Sequence, residues 1–319
     1  MDKVIHENSV PTAKVIADSV CINPFTKENY RLTTMEVKMH RYVLAEFNTH
    51  RAFSRNAASS RAIPVQKLID RVKFDPALPV YWGKNQAGMQ ASGELEGEEL
   101  DCVQDIWSQS RINMLSSAEA LRGANLHKQL ANRILEPWMW CTVIVSSTEW
   151  DNFFWQRCSP LAQPEMAAAA YAMQLAYYSS TPKQINSDKW HLPYIDIEDV
   201  KDAFSMLNGN ITPETWERTA MQQYSKLTEI LKKVSTARCA RVSYLTHDGK
   251  RDLIKDVELH DDLFNANPPH MSPFEHIATP AHLQDNTGNF KGWKQYRSEI
   301  ESWKPIGKFV PNHPLLIKS

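Results

Sequence analysis

Residues 49–61, THRAFSRNAASSR, combine basic and hydroxyl side chains with hardly any large apolar ones. An Arg guanidinium can form two parallel hydrogen bonds with phosphate oxygens, while Ser hydroxyls and main-chain N–H groups supply further donors. This segment therefore predicts a site for a phosphate-bearing ligand, with a solvated, helix-capping loop as the structural alternative. The candidate donors are His50, Arg51, Arg55, Asn56, Ser59, Ser60 and Arg61.

Periodic patterns on both sides of this segment predict the elements that must position it. RLTTMEVKM (31–39) alternates as a strand does, and HRYVLAEFN (40–48) then changes to helical spacing. The apolar run WMWCTVIVSS (138–147) predicts a buried strand, and TEWDNFFWQRC (148–158) predicts a helix. Further helices are predicted over 103–123, 164–180 and 213–234. We therefore expect an α+β domain that is rich in helix and has few strands.

Three polar stretches interrupt the periodic segments, at residues 82–100, at 179–193 and from about 284 to 319. The first mixes Gly, Gln and acidic residues, which predicts a surface loop. Within the last, WKQYRSEIESW (293–303) has the pattern of a short helix. We predict a single α+β domain over 1–283 with insertions near 82–100 and 180–210, followed by a C-terminal extension over 284–319.

Composition argues against several functional classes. Lys plus Arg total 36 against 37 for Asp plus Glu, so no overall field draws the chain to nucleic acid or to a membrane surface. The longest apolar stretch, residues 138–145, is too short to span a bilayer, and the first residues lack the apolar core of a signal peptide. Five cysteines without a CxxC motif suit a reducing compartment. We therefore expect a cytoplasmic protein with structural thiols and with neither a membrane nor a nucleic acid as partner.

Common cofactor and metal motifs are absent from the sequence. No GxGxxG follows a strand and there is no GxxxxGK[ST], so side chains must hold any bound nucleotide. The three histidines His270, His276 and His282 are evenly spaced. Because no CxxC or HExxH accompanies them and Pro273 intervenes, no metal site is predicted.

Three blocks resemble motifs of the flavin-dependent thymidylate synthases. His50-Arg51, seven residues and Ser59 resemble the family's Arg-His-Arg, seven residues, Ser. NRILEP (132–137) and NFFWQR (152–157) resemble its Arg-containing segment before Leu-Pro and its Asn-Phe followed by a nucleotide-binding Arg. ARVSY (240–244) and HMSPFEHI (270–277) resemble its Ala-Arg-Val-Ser and its His-x-Thr/Ser-Pro-Phe-Glu-His. In the family this last block comes first, so the resemblance implies a circular permutation, which a fold tolerates when its termini lie close together.

The resemblance implies a fold and an activity. The expected fold has a central mixed or antiparallel sheet with long helices, and the expected assembly is a homotetramer with FAD between subunits; a larger monomer is the alternative. In the implied reaction methylenetetrahydrofolate supplies one carbon and NADPH-reduced FAD supplies hydride, so that dUMP becomes dTMP. The Pro-Cys-His setting of the folate-only thymidylate synthases is absent. A guanidinium that stabilises the N3-deprotonated uracil replaces the cysteine nucleophile.

The residues that match the family motifs have implied roles. Arg157 matches the nucleotide-binding Arg and would be the catalytic residue, with a solvent-facing helix residue as the structural alternative. Glu46, Ser59, Arg61 and Arg133 would bind the nucleotide together with Arg157. The residues that would bind FAD are His50, Arg51, Asn56, Asn152, Ser243, His270 and Ser272.

The sequence also departs from the family motif. Thr49 replaces the first Arg, and Ala57 and Ala62 stand where an acid and an aromatic residue are usual. These departures leave the acceptor open, so another pyrimidine nucleotide or a 5-hydroxymethyl product is an alternative within the class. An inactive nucleotide-binding homologue and a nucleic-acid-binding protein are alternatives outside the class, and the neutral net charge argues against the second.

Overall fold

The computed structural model describes residues 10–22, 27–207, 216–242 and 251–303. The strands of its larger sheet are β1 (Thr12–Ile22), β2 (Asn29–His40), β3 (Ser54–Ala57), β4 (Trp140–Ser147) and β5 (Lys183–Gln184). They lie in the order β3-β4-β2-β1-β5. All neighbours pair antiparallel except β5, which runs parallel to β1. The predicted α+β class with a central mixed sheet is confirmed, whereas the permuted block order stays a prediction.

Helices surround this sheet, and a second sheet has two short strands. The α-helices of the described residues are α1 (Leu44–Phe47), α2 (Val65–Phe74), α3 (Gly97–Gly123), α4 (Lys128–Ala131), α5 (Asp151–Arg157), α6 (Pro164–Ser179), α7 (Ile197–Leu207), α8 (Trp216–Arg241), α9 (Leu253–Asn265) and α10 (Tyr296–Trp303). Short 3-10 helices span Arg41–Val43, Arg133–Trp138 and Ser272–Glu275. β6 (Ala278–Pro280) pairs antiparallel with β7 (Trp293–Gln295). No helix in the described part of the chain has the length and apolarity that crossing a membrane requires.

The strongly periodic segments fold as the sequence predicts. The strands predicted at 31–39 and 138–147 are β2 and β4, and the helices predicted at 148–158 and 164–180 are α5 and α6. The helix predicted over 103–123 is the C-terminal part of α3, which begins six residues earlier, inside the predicted loop, at Gly97 with φ +55°. The helix predicted over 213–234 is α8, while residues 213–215 lie outside the described residues.

One prediction needs correction. Residues 40–48 do not form one helix: a 3-10 turn is followed by the single turn α1, because the chain must reverse here to bring β3 beside β4. The described part of the predicted insertion near 180–210 contains β5 and the amphipathic helix α7, and its status as an insertion stays a prediction. Asp199 of α7 is buried and receives two hydrogen bonds of 2.7 Å from Arg238 of α8, so this segment is fixed to the domain by a buried ion pair.

The main core lies between α6 and the two strands β1 and β2. Met166, Ala169 and Met173 of α6 are fully buried and belong to the same cluster as Met35 and Val37 of β2. Alanine leaves little bulk between a helix and a sheet, which permits this close packing. β4 is enclosed between β2 and β3, so the apolar run 138–145 is buried largely within the chain.

The described part of the predicted C-terminal extension packs against the domain. Trp293, Tyr296 and Ile300 are buried. Gln295 donates a hydrogen bond of 2.9 Å to Ser54 Oγ at the start of β3. Residues 293–300 therefore contribute to the same packed body as the sheet, while the division of the chain at residue 283 stays a prediction.

Candidate functional site

Arg157 lies at the C-terminal end of α5 and contacts two other predicted site residues. Its Nε donates a hydrogen bond of 2.9 Å to His50 Nε2, from the loop before β3. Its NH1 donates to the carboxylate of Glu46 in α1. The sequence separations are 107 and 111 residues, so tertiary structure alone brings these groups together. No other hydrogen bond to this guanidinium is found within the described residues, which leaves its NH2 for a ligand.

His50 is a neutral acceptor in this arrangement. Burial, the positive charge of Arg157 and then that of Arg55 lower the pKa of His50 to about 4. Its ring stands edge-on to Phe153, with the ring centroids 4.9 Å apart. At neutral pH the unprotonated Nε2 can therefore accept the hydrogen bond from Arg157 and fix the plane of the guanidinium.

A second polar cluster is centred on the carboxylate of Glu136. Ser60 Oγ donates to Glu136 Oε1 at 2.7 Å, and Arg133 NH1 donates to the same oxygen at 2.7 Å. Arg41 NH2 lies 3.4 Å from this oxygen. Three donors from three separate elements therefore converge on one carboxylate.

The charged side chains of both clusters line one cavity of about 1060 Å³. Glu46 and Arg157 lie at its wall together with Arg41, Arg133 and Glu136. Ligand cavities typically measure about 300–1,000 Å³, so this volume suffices for a nucleotide and leaves room for a second group. The cavity is therefore the candidate functional site, and it has charges of both signs in its wall.

The predicted insertion near 82–100 forms one wall of this cavity. Tyr81, Gly83 and residues 89–91 line it. Gln90 Nε2 donates a hydrogen bond of 2.8 Å to the carbonyl oxygen of Leu161, which lines the cavity from the loop after α5. A Cβ at Gly83 would come within 2.3 Å of the Ala91 Cβ, so glycine permits the two arms of this segment to approach. The segment is thus a part of the site and not a detached surface loop.

The two remaining residues predicted to bind the nucleotide are Ser59 and Arg61. Neither is among the described residues that line the cavity, and Arg61 is exposed. The hydroxyl that faces the Glu136 carboxylate belongs instead to Ser60, which is buried. A one-residue difference of this kind is decided by the turn after β3, which sequence spacing does not resolve.

The predicted FAD residues divide into exposed and engaged groups. Arg51, Asn152, His270 and Ser272 are exposed. Asn56 is buried, donates a hydrogen bond of 2.7 Å to the carbonyl oxygen of Cys239 and accepts one of 3.3 Å from Ser272 Oγ. His50 accepts the hydrogen bond from Arg157 described above. Ser243 lies outside the described residues.

All three motif blocks meet around β3 and the turn that follows it. Asn56 of β3 contacts α8 and the 3-10 helix Ser272–Glu275 through the two hydrogen bonds given above. Asn132, which precedes Arg133, donates to the carbonyl oxygens of Ser60 at 2.6 Å and Ile63 at 2.9 Å. The structure therefore brings the blocks together in space, although they are far apart in the chain.

Sequence reasoning missed Arg41 and Glu136, whereas Ser60 was among the candidate phosphate donors of residues 49–61. Glu136 lies inside the block NRILEP, so its signal was adjacency to a recognised motif. Arg41 belongs to no recognised block, and only the fold shows that it faces Glu136. Across the described residues, no group of three or more His, Cys, Asp or Glu side chains is arranged to hold a metal ion.

Comparison with known proteins gives structural similarities only. No family model matches the sequence, and no curated protein matches it. A solved structure of the UMP/dUMP methylase PolB from Streptomyces cacaoi with 5-Br dUMP aligns at a TM-score of 0.42 and 11% identity, over 54% of this chain and 91% of that one. The same methylase with 5-Br UMP gives 0.43 and 12%, over 54% and 90%. The flavin-dependent thymidylate synthase ThyX from Helicobacter pylori with FAD and dUMP gives 0.34 and 20%, over 46% and 67%. Similarity at this level does not assign the chain to either family.

Proposed function

We propose that this protein is a flavin-dependent, thymidylate-synthase-like enzyme that transfers a one-carbon unit to C5 of a pyrimidine deoxynucleotide. The proposed acceptor is dUMP, and methylenetetrahydrofolate and NADPH are the proposed cosubstrates. The observation that carries the proposal is the fixed guanidinium of Arg157, held by His50 and Glu46 in the wall of a nucleotide-sized cavity. The sequence motifs suggested these three residues independently of their contacts.

The proposed role of Arg157 is electrostatic. Loss of the N3 proton from uracil places negative charge on N3 and O2, and a guanidinium that is already oriented stabilises this charge without reorganising. His50 and Glu46 occupy Nε and NH1, so NH2 is the group proposed to face the base. Because His50 accepts while neutral, this contact orients the guanidinium without placing a further charge beside it.

The residues proposed for FAD have the chemistry that a phosphate-bearing cofactor needs. The side chains of Arg51 and His270 are exposed and make no hydrogen bond or ion pair within the described part of the chain. Free donors of this kind suit the pyrophosphate and ribose of a dinucleotide. When bound and reduced, FAD would supply the hydride that completes the methyl group.

The proposed assembly is a homotetramer with shared sites. Trp155 of α5 is 80% exposed, and Leu175 and Tyr178 of α6 are 72% and 65% exposed. Large apolar side chains grouped on two neighbouring helices support a subunit contact. Light scattering is expected to give a mass near four chains, and mixing Arg51→Ala with Arg157→Ala subunits is expected to restore part of the activity; a flavin-containing monomer would contradict this assembly.

The function is tested with the purified protein, FAD, NADPH, methylenetetrahydrofolate and dUMP. We expect a yellow protein with a flavin absorption band and formation of dTMP that depends on each cosubstrate. A product heavier than dTMP by one oxygen would support the 5-hydroxymethyl alternative, and turnover of a different pyrimidine nucleotide would replace dUMP as the acceptor. Absence of flavin uptake and of turnover would contradict the proposal and support the inactive homologue.

A further inference from the structure

The carboxylate of Glu136 occupies a place that suits an anionic ligand. Its Oε1 accepts hydrogen bonds of 2.7 Å from Ser60 Oγ and from Arg133 NH1, with Arg41 NH2 at 3.4 Å. Two guanidinium groups and a hydroxyl are the donor set that proteins use for phosphate oxygens. We propose that Arg41 and Arg133, which line the cavity, form a phosphate subsite together with the hydroxyl of the buried Ser60, and that Glu136 fills this subsite until a nucleotide phosphate displaces its carboxylate. The inference rests on the proposed function.

The main-chain segments that carry the donors are held by contacts that do not involve Glu136. Ser60 is buried, and Asn132 fixes the turn that carries it through hydrogen bonds to the Ser60 and Ile63 carbonyl oxygens. Arg41 and Arg133 each begin a 3-10 helix beside the sheet, so their main chains are anchored by β2 and β4. The main-chain framework of the subsite is therefore preorganised, which reduces the entropy lost when a ligand binds.

Glu136 can leave the subsite at small cost. Its side chain is 25% exposed and that of Arg133 is 45% exposed, so both reach the water of the cavity. A phosphate monoester carries a charge of about −1.5 to −2 at pH 7 and three acceptor oxygens, whereas the carboxylate carries one charge and two oxygens. The phosphate therefore binds the three donors more strongly than Glu136 does, and the released carboxylate becomes hydrated.

This arrangement sets how well the cavity distinguishes a nucleotide from its nucleoside. A nucleoside has no group that displaces Glu136, so both guanidinium groups stay paired with the one Glu136 carboxylate. The phosphate of a nucleotide forms hydrogen bonds with the three donors, but their contacts with Glu136 must first be broken. Removing the negative charge of Glu136 should therefore tighten the binding of dUMP and leave the binding of deoxyuridine unchanged.

The experiment measures dissociation constants of dUMP and deoxyuridine by calorimetry for the parent and Glu136→Gln. The glutamine keeps the shape of the side chain, and we expect the Kd of dUMP to fall about tenfold with that of deoxyuridine unchanged. Glu198→Gln, which removes an exposed carboxylate paired with Lys201 in α7, is the matched control for net charge and should change neither constant.

Arg41 provides an independent arm of the same experiment. Arg41→Lys keeps a positive charge but loses the fork, so the Kd of dUMP should rise while that of deoxyuridine stays the same. Circular dichroism establishes that each variant is folded before binding is measured. If dUMP binds but neither variant alters its preference over deoxyuridine, the phosphate subsite is overturned and the proposed function stands. If neither ligand binds the parent or either variant, the proposed function fails and the subsite fails with it.

Discussion

Two polar regions of this protein differ in their access to water. One, here called the buried row, links five side chains by hydrogen bonds of 2.6–2.9 Å. Its members are Ser19, His191, Thr34, Ser146 and His276, and all are buried. The row crosses β1, β2 and β4 and joins them to His191 and His276 from the C-terminal half of the chain, so its hydrogen bonds hold distant parts of the fold together.

The second region, here called the cavity cluster, contains charged side chains that keep contact with water. Its members are Arg41, Glu46, Arg133, Glu136 and Arg157. Their exposed side-chain fractions lie between 17% and 45%. The charges are paired, yet Arg157 keeps an unused donor and Glu136 can move into the cavity.

Access to water therefore separates a polar cluster that stabilises this fold from one that binds a ligand. In the buried row, removal of one partner leaves a polar group without a hydrogen bond and without water, so the free energy of unfolding decreases. In the cavity cluster, water can replace a missing partner, so the change weakens ligand binding instead. The predictions below test this division.

The largest expected effect follows from Arg157→Ala. Removal of the guanidinium should lower kcat about a thousandfold, because it removes the proposed charge stabilisation at the base. The free energy of unfolding should change little, since Glu46 and Arg157 are partly exposed. Rates of dTMP formation and urea denaturation curves measure the two quantities. Arg157→Lys is the control that keeps the charge, and parental activity in the alanine variant would refute the role of Arg157.

Acid should destabilise the protein through the buried row. Burial lowers the pKa of His191 to about 3 from 6.5, and burial followed by the charge of His191 lowers that of His276 to about 3. Between pH 6.5 and 3 the unfolded chain therefore binds more protons than the native state, so stability falls as the pH is lowered through this window. At pH 5 the loss should be about 2 kcal/mol for each histidine. Urea unfolding at pH 7.5, 6.5 and 5 measures it, and equal stability at all three values would contradict the assignment.

Thr34→Val should break the buried row at its centre. The Thr34 hydroxyl contacts Ser146 Oγ at 2.6 Å and His191 Nε2 at 2.8 Å, and valine has the same shape without this hydroxyl. We expect a loss of about 2 kcal/mol in the free energy of unfolding, with kcat unchanged. The control is Thr142→Val in β4, because the Thr142 hydroxyl makes no hydrogen bond within the described residues. A drop in kcat without a loss of stability would place the row with the cavity cluster.

The smallest expected effect concerns the segment that walls the cavity. Gln90→Ala removes the hydrogen bond to Leu161 and should raise the KM for the nucleotide about fivefold without changing kcat, as one neutral hydrogen bond contributes about 1 kcal/mol. Steady-state kinetics at varied nucleotide concentration measures this. Gln109→Ala on the exposed side of α3 is the control, and an unchanged KM in Gln90→Ala would show that the segment does not act on the ligand.

The sequence by itself determined the elements whose signal is local. α6 and the strands β2 and β4 were predicted because their periodicity reports burial against a neighbour whatever that neighbour is. β1 and α7 were not predicted, since β1 mixes polar and apolar residues on both faces and α7 lies in a stretch that begins with polar residues. The motif resemblance also selected Glu46, Arg133 and Arg157, which line one cavity.

Only the tertiary structure decided which groups meet inside that cavity. The contact of Arg157 with His50 spans 107 residues and depends on the position of α5 relative to the loop before β3. The choice of Ser60 over Ser59 depends on the turn that Asn132 fixes, and the role of Glu136 depends on Arg41 arriving from the end of β2. A sequence pattern encodes which face of an element is buried, but hydrogen bonds between distant side chains depend on sheet order and register, which are set by the packing of the whole chain.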